Sequence, residues 1–208
     1  IECFDNSNIQ GEFPVSACVV FRDGKPSRNE YRHFNIKTVI GADDYASMEE
    51  VVYRRYRRIL EESGPLPNLV VIDGGKGQLS SAIKALNDLE LSSKISIVGI
   101  AKRLEEIYFP NDSIPLYIDK RSESLKILQQ ARNEAHRFGI TFHRKKRSKS
   151  SIKSKLDAVK GIGPSTQKVL LSSFKSIARL KKSDLNSIES LIGVAKAKLI
   201  WSWIKQEA

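Results

Sequence analysis

Leu69-Val70-Val71-Ile72-Asp73-Gly74-Gly75-Lys76-Gly77-Gln78 is the stretch on which the reading of this chain turns. Its short apolar run is rich in β-branched residues and bounded by Pro67 and glycines, so it reads as a buried strand. Glycines directly after such a strand free backbone N–H groups to cradle phosphate. A carboxylate at the strand tip repels that phosphate unless a cation lies between them. Strand, acid, glycine turn and lysine together point to a metal-bridged phosphate site. Two nucleotide-binding motifs fail on residues. A P-loop needs Ser or Thr after its lysine, where Gly77 and then Gln78 stand. A dinucleotide fingerprint over Gly75-Lys76-Gly77-Gln78-Leu79-Ser80 ends on Ser80 rather than Gly or Ala. The plainer alternative is a strand-to-helix turn in which Asp73 is only a polar end cap.

Upstream, Ile1 to Phe4 reads as a short strand closed by Asp5. Val15 to Phe21 reads as a second strand, ended by the turn Asp23-Gly24-Lys25-Pro26, and Tyr31 to Ile36 pairs back on it as a hairpin. Tyr45, Met48, Val52, Tyr56 and Ile59 recur at helical spacing, with Asp43 or Asp44 as N-cap. The arginines at 54, 55, 57 and 58 tempt a nucleic-acid reading. Glu50–Arg54, Arg57–Glu61 and Arg58–Glu62 instead form i,i+4 pairs on a solvated face. Downstream lie a helix from about Gln78 to Leu89, a strand from Ile95 to Ile100 and a ribbon around Glu106–Phe109 and Leu116–Ile118. A long helix from about Glu123 to His143 follows, with the apolar stripe Leu128, Ala131, Ala135, Phe138 and Phe142. A meander feeding a parallel strand–helix–strand unit implies an α/β fold, a mixed sheet flanked by helices, over residues 1–143.

Charge divides the chain. Residues 1–143 carry 19 basic and 20 acidic side chains, whereas residues 151–208 carry 11 and 4, within a total net charge of +11. Between them stands Arg144-Lys145-Lys146-Arg147-Ser148-Lys149, and residues 144–153 read as a basic, Ser-rich linker. A neutral body with a cationic linker and tail suits a polyanion, and no amphipathic aromatic helix favours a membrane, so nucleic acid is the expected partner. Residues 154–208 read as wholly helical, starting with a short helix at about 154–159 and punctuated by Gly161-Ile162-Gly163-Pro164 and Ile192-Gly193-Val194-Ala195, 32 residues apart. A Gly-Ile-Gly turn before a helix lets backbone N–H groups face a phosphate, and Pro164 fits the first helical position. Gly161, Ile162, Gly163, Ser165, Gly193 and Ala195 are the candidate backbone-phosphate contacts, read without base preference. The pair of turns resembles the tandem helix–hairpin–helix module of DNA-repair proteins, although Ala195 stands where that motif prefers Gly.

Cys3 and Cys18 fall in apolar strands with no metal-ligand spacing and read as buried free thiols of a reducing compartment. No signal pattern opens the chain and no run approaches the roughly 18 apolar residues of a membrane span. Ile1 is not an initiator, so the sequence reads as part of a longer protein.

In the body, Asp5 and Asp73 close strands expected to lie side by side, at the carboxyl ends where open α/β sheets bind ligands. Two carboxylates can hold a divalent ion for phosphodiester chemistry, and His136 on the flank of the long helix completes the set as ligand or acid/base. Lys76, Arg132 and Arg137 are candidate phosphate contacts.

Several blocks then occur in order: Glu2-Cys3-Phe4-Asp5, Tyr31-Arg32-His33-Phe34-Asn35-Ile36, Gly41-Ala42-Asp43-Asp44-Tyr45-Ala46, Ile72-Asp73-Gly74-Gly75-Lys76-Gly77-Gln78-Leu79 and Asn133-Glu134-Ala135-His136-Arg137-Phe138. With the basic run and the tandem hairpins, they resemble the C-terminal half of the UvrC family, the incising component of the bacterial nucleotide-excision-repair excinuclease. The resemblance covers essentially the whole chain. It implies an RNase H-like endonuclease domain (1–143), the linker (144–153) and a tandem helix–hairpin–helix domain (154–208). It implies Asp5, Asp73 and His136 as the catalytic and metal set with Mg2+ or Mn2+, Asp44 as a further participant, and the 5′ cut beside a DNA lesion as the reaction. Arg144, Lys145, Lys146, Arg147 and Lys149 would add affinity for damaged double-stranded DNA. The implied setting is the bacterial cytoplasm, with the helicase subunit as a partner bound through a segment outside this chain. Asn6-Ser7-Asn8 departs from the family's Ile-Ser-His, and Asn133 replaces its Asp. The rival from another class is a non-catalytic DNA-binding scaffold with a degenerate RNase H-like body.

Overall fold

The computed structural model describes residues 1–9, 12–39, 41, 43–101, 105–157 and 159–206, with backbone alone at 7–9, 12–14 and 143–154. Its chain forms two compact units, Ile1–His143 and Arg144–Ala208.

The first unit is a seven-stranded mixed sheet with helices on both faces. Its strands are β1 (Glu2–Ile9), β2 (Glu12–Arg22), β3 (Lys25–Pro26), β4 (Arg32–Asn35), β5 (Leu69–Asp73), β6 (Ser96–Ala101) and β7 (Glu106–Tyr108). The order is β3-β2-β1-β5-β6-β7, with β4 also on β2. β1, β5 and β6 are mutually parallel, and β1–β2, β2–β4 and β6–β7 are antiparallel. Val70, Val71 and Ile72 of the central β5 are apolar in succession because both faces are covered. On one face Phe4, Val70 and Ile72 pack with Met48, Val52 and Tyr56 of α1 (Asp44–Glu61) and Leu79, Ala82 and Leu86 of α2 (Lys76–Asp88). On the other, Cys3, Val71 and Ile100 pack with Leu125, Leu128, Ala131 and Ala135 of α3 (Glu123–Asp157). Period-two alternation along each strand assigns its neighbours to opposite layers.

Two expectations change. β1 does not end at Asp5; it continues to Ile9 because β2 keeps pairing with it, Asn6 with Ser16 and Ser7 with Val15. Tyr45 leaves the apolar stripe of α1. It sits in the first turn, past the covered part of the sheet, and is 58% exposed. The segment 144–153 has helical backbone, continuous with α3. Its Lys, Arg and Ser content is polar, but residues 140–157 contain neither glycine nor proline, and long straight side chains favour the helix.

In the second unit α4 (Pro164–Phe174), α5 (Ile177–Lys181), α6 (Leu185–Ile192) and α7 (Val194–Gln206) follow the glycine punctuation. The expected separate helix at 154–159 is instead the end of α3 and a turn. Leu156, Val159, Ile162, Leu170, Leu180, Ile188, Ala197, Ile200 and Ile204 form the core. Ser176 and Asp184 cap α5 and α6, accepting from Arg179 N at 3.1 Å and Ser187 N at 2.7 Å. Among the described residues no helix is long and apolar enough to cross a membrane.

Candidate active site

The site grows from one rung of the parallel ladder. Phe4 of β1 pairs with Ile72 of β5, and the next residues on the two strands are Asp5 and Asp73. Both follow the parity of Cys3 and Val71, so they belong to the sheet face that α3 covers. The stripe of α3 that buries Ala131 and Ala135 leaves His136 beside it, at the carboxyl ends of the strands. The helix is held there by an aromatic contact the sequence pattern did not announce. The ring of His33 on β4 stacks against Phe138 and Phe142 at centroid distances of 3.6 and 4.0 Å. His33 Nε2 also lies 3.2 Å from the Phe138 carbonyl oxygen.

One carboxylate oxygen from Asp5, one from Asp73 and one imidazole nitrogen from His136 lie within 4.8 Å of one another. That span fits one cation with ligands on opposing sides, about twice a 2.0–2.6 Å metal–ligand bond. Two hard oxygens and an imidazole suit Mg2+ with waters, and suit Mn2+ at least as well. His136 Nδ1 stands 3.2 Å from Asp5 Oδ2. An ionised carboxylate only accepts, so Nδ1 donates and the basic nitrogen of a neutral ring is Nε2. Asp5 is 5% exposed, whereas Asp73 is half-buried and the His136 side chain is 42% exposed, so the site opens to solvent on the side of Asp73 and the imidazole. Beneath them, burial, reinforced by the charges of Asp73 and Asp5, pushes the Cys3 thiol well up. Cys3 therefore stays a neutral thiol, not a thiolate ligand.

Other candidates fall into place unevenly. Asp43, not Asp44, caps α1, accepting from Tyr45 N at 3.0 Å and Ala46 N at 2.9 Å. Asp44 lines a cleft of about 660 Å3 with Asp43, Tyr45, Gly75, Lys76, Gly77 and Gln78. Lys76 is exposed, its Nζ 5.6 Å from the Tyr108 ring centroid. Arg132 is not a surface cation. It is 6% exposed and donates to Glu105 Oε2 at 2.5 Å and to Asn133 Oδ1 at 3.1 and 3.3 Å. Its place on α3, beside the buried Ala131, turns it under the site instead of out to a phosphate. Arg137 is exposed and paired with Glu134 at 2.6 and 2.7 Å. The arginines of α1 pair as the spacing predicts, at 2.6, 2.9 and 2.8 Å for Arg54, Arg57 and Arg58.

The side chains of Arg144, Lys145, Lys146, Arg147 and Lys149 lie outside the described residues, as does that of Asn8. In the second unit Gly161, Gly163, Ser165, Gly193 and Ala195 are not buried. Ile162 is, and its N–H donates to the Val159 carbonyl at 3.2 Å. Gly193 N–H likewise donates to Glu189 O at 2.8 Å. Both glycine turns carry a positive-φ residue, Gly161 at 89° and Gly193 at 80°.

Two residues with a structural claim on the site escaped the sequence reading. Asn6 donates from Nδ2 to the Asp44 carbonyl at 2.8 Å, tying the start of α1 to β1 beside Asp5. Only its adjacency to Asp5 could have marked it. Tyr45 was legible as an aromatic in a first helical turn, but the stripe it joins masked its exposure.

A family model described as the UvrC RNAse H endonuclease domain matches residues 1–140. The UvrABC system protein C of Flavobacterium psychrophilum is 66% identical over 200 residues, 96% of this chain and 33% of that protein. That of Flavobacterium johnsoniae is 62% identical over 205 residues, 99% of this chain and 34% of the relative. That of Bacteroides fragilis is 50% identical over 204 residues, 96% and 33% respectively. The chain spans about a third of the length of the curated relatives it matches.

Proposed function

The chain belongs to the UvrC family, and on that premise we propose that residues 1–143 are a divalent-metal-dependent DNA endonuclease of RNase H type. Its reaction is the 5′ incision beside a lesion in nucleotide excision repair, in the bacterial cytoplasm. Residues 154–208 act as a tandem helix–hairpin–helix module that grips duplex backbone without reading sequence, and the basic segment 144–149 adds affinity. Damaged double-stranded DNA is the substrate, and the helicase subunit of the excinuclease is the protein partner, engaged outside this chain.

The observation that carries the reading is the convergence of Asp5, Asp73 and His136 within 4.8 Å from positions up to 131 residues apart. Asp5 and Asp73 would hold Mg2+ or Mn2+, with His136 as a third ligand or a proton-transfer group. Such a cation supplies Lewis-acid stabilisation of charge developing on a phosphodiester. Asp5 fixes the imidazole through Nδ1, so His136 takes or gives a proton at Nε2. Arg132, buried on α3, pairs with the half-buried Glu105, and this contact supports the helix's placement. Asp44, released from capping, stands on the rim of the neighbouring cleft.

The test is nicking of a lesion-bearing duplex with Mg2+ or Mn2+ and partner subunits present. Asp5→Asn, Asp73→Asn and His136→Ala should each lower the nicking rate by about 100-fold or more while DNA affinity is kept. A wild-type chain that binds but does not nick under those conditions is the scaffold instead.

A further inference from the structure

We propose that the cleft between the first turns of α1 and α2 is a nucleoside subsite in which the Tyr45 ring stacks on the sugar or base next to the scissile phosphate. The inference rests on the endonuclease reading and deepens it.

The cleft is built around the tyrosine. Tyr45 is a large aromatic, 58% exposed, on the first turn of a helix whose Asp43 cap fixes its backbone. Its ring lies directly over Gly77. A Cβ at that glycine would come within 2.4 Å of Tyr45 Cε1 and 2.7 Å of Cζ. Glycine at 77 therefore lets the ring settle on the first turn of α2.

The surrounding charges select what the cleft admits. Asp43 and Asp44 line it, and two carboxylates repel a bare phosphate. Lys76 lines it too and offers the one sign of charge a flanking phosphate needs. An uncharged ring system against Tyr45, with its phosphate turned toward Lys76, satisfies both. Stacking of this kind tolerates every base, as a lesion-directed enzyme requires, because each base has a π face.

The cleft also adjoins the catalytic strands. Gly75 follows Asp73 by two residues, so their Cα atoms lie within about 7 Å. Asn6, next to Asp5, holds the Asp44 carbonyl at 2.8 Å. The Asp5 and Asp73 side chains belong to the α3 face and the first turns of α1 and α2 to the other, so a strand crossing this edge of the sheet places one nucleotide in the cleft and its phosphate at the carboxylates.

The experiment is photo-cross-linking of the full chain to lesion-bearing duplexes carrying 5-iododeoxyuridine, stepped one nucleotide at a time along the incised strand, with the site read by mass spectrometry. Steady-state nicking by Tyr45→Phe, Tyr45→Leu and Gly77→Ala runs in parallel. Cross-linking should peak at Tyr45 for a nucleotide bordering the nick. Tyr45→Leu should raise KM about tenfold, the lower part of the range for removing a base–aromatic stack, with Tyr45→Phe close to wild type. Gly77→Ala should reproduce Tyr45→Leu, since its methyl displaces the ring while the tyrosine remains. Nicking by wild type with no Tyr45 cross-link overturns the subsite and leaves the endonuclease standing. So does a Tyr45→Phe loss equal to that of Tyr45→Leu, which assigns the effect to the hydroxyl. If wild type does not nick, the endonuclease reading falls, and the cross-link alone still decides whether DNA occupies the cleft.

Discussion

Asp5 is 5% exposed, and a carboxylate so far from water needs compensation close by. His136 Nδ1, 3.2 Å from Asp5 Oδ2, provides part of it. The thiol of Cys3 below them illustrates the opposite outcome: burial first, then the two carboxylates, keep it protonated. The apolar run around Cys3 made that burial legible in advance. Glu30 titrates for a different reason. Arg22 donates to it at 2.5 and 2.7 Å, and with Ser27 holds its carboxyl from 4.5 down to about 2. A depressed folded-state value contributes stability above the unfolded value, lost as pH falls through the window from 4.5 to about 2. The wild type should therefore have a higher unfolding midpoint than Glu30→Gln at about pH 6, and the difference should close by about pH 2. The gap will be small, because the side chains are 57% and 27% exposed. Equal midpoints at the higher pH would show that solvent screens the pair completely.

At the scale of elements, α1 is anchored through the sheet by a buried polar cluster. Arg55 Nη2 donates to Glu2 Oε1 at 2.5 Å and Tyr56 OH to Glu2 Oε2 at 3.0 Å, with Arg55 14% and Glu2 6% exposed. Removing one partner strands the other charge. Arg55→Met should cost about 3–5 kcal/mol, read as a lower urea midpoint at unchanged slope. A shift below about 1 kcal/mol would place the pair among surface bridges. No sequence pattern could identify this pair. Arg55 stands among arginines that do form i,i+4 pairs, and only the β1–β5 register puts Glu2 under α1. The strand at 69–73 and the helix after it were legible because strand, turn and helix all declare themselves within a short stretch. The helical backbone of 144–153 was not legible because composition reports solvation, whereas a helix needs only the absence of breakers and a preceding turn to extend.

Across the whole molecule the charge is carried by the second half, 11 basic against 4 acidic residues over 151–208, beyond a near-neutral body. If the second half grips duplex backbone as proposed, binding releases counterions and affinity should fall steeply with salt. Lys145→Gln, Lys146→Gln and Arg147→Gln combined should make the log–log slope shallower by about 0.9 for each phosphate no longer neutralised, measured by fluorescence anisotropy on duplex DNA. An unchanged slope would assign the binding to other cations. The N–H groups of Ile162 and Gly193 are spent on Val159 O and Glu189 O, so of the proposed backbone contacts Gly161, Gly163 and Ala195 are the ones to test.

The sequence by itself determined the class of the fold, the apolar strand ending in Asp73, the pairing of charges along α1 and the division into a neutral and a basic half. Each of these depends on neighbours within a few residues, or on composition. The tertiary structure supplied the distances of the expected set, Asp5 and Asp73 each one residue past the Phe4–Ile72 rung with His136 within 4.8 Å, and it alone decided that Arg132 turns inward and that Tyr45 stands over Gly77. Those facts depend on register between distant strands and on which face of a helix is covered, and no local pattern of side chains encodes either.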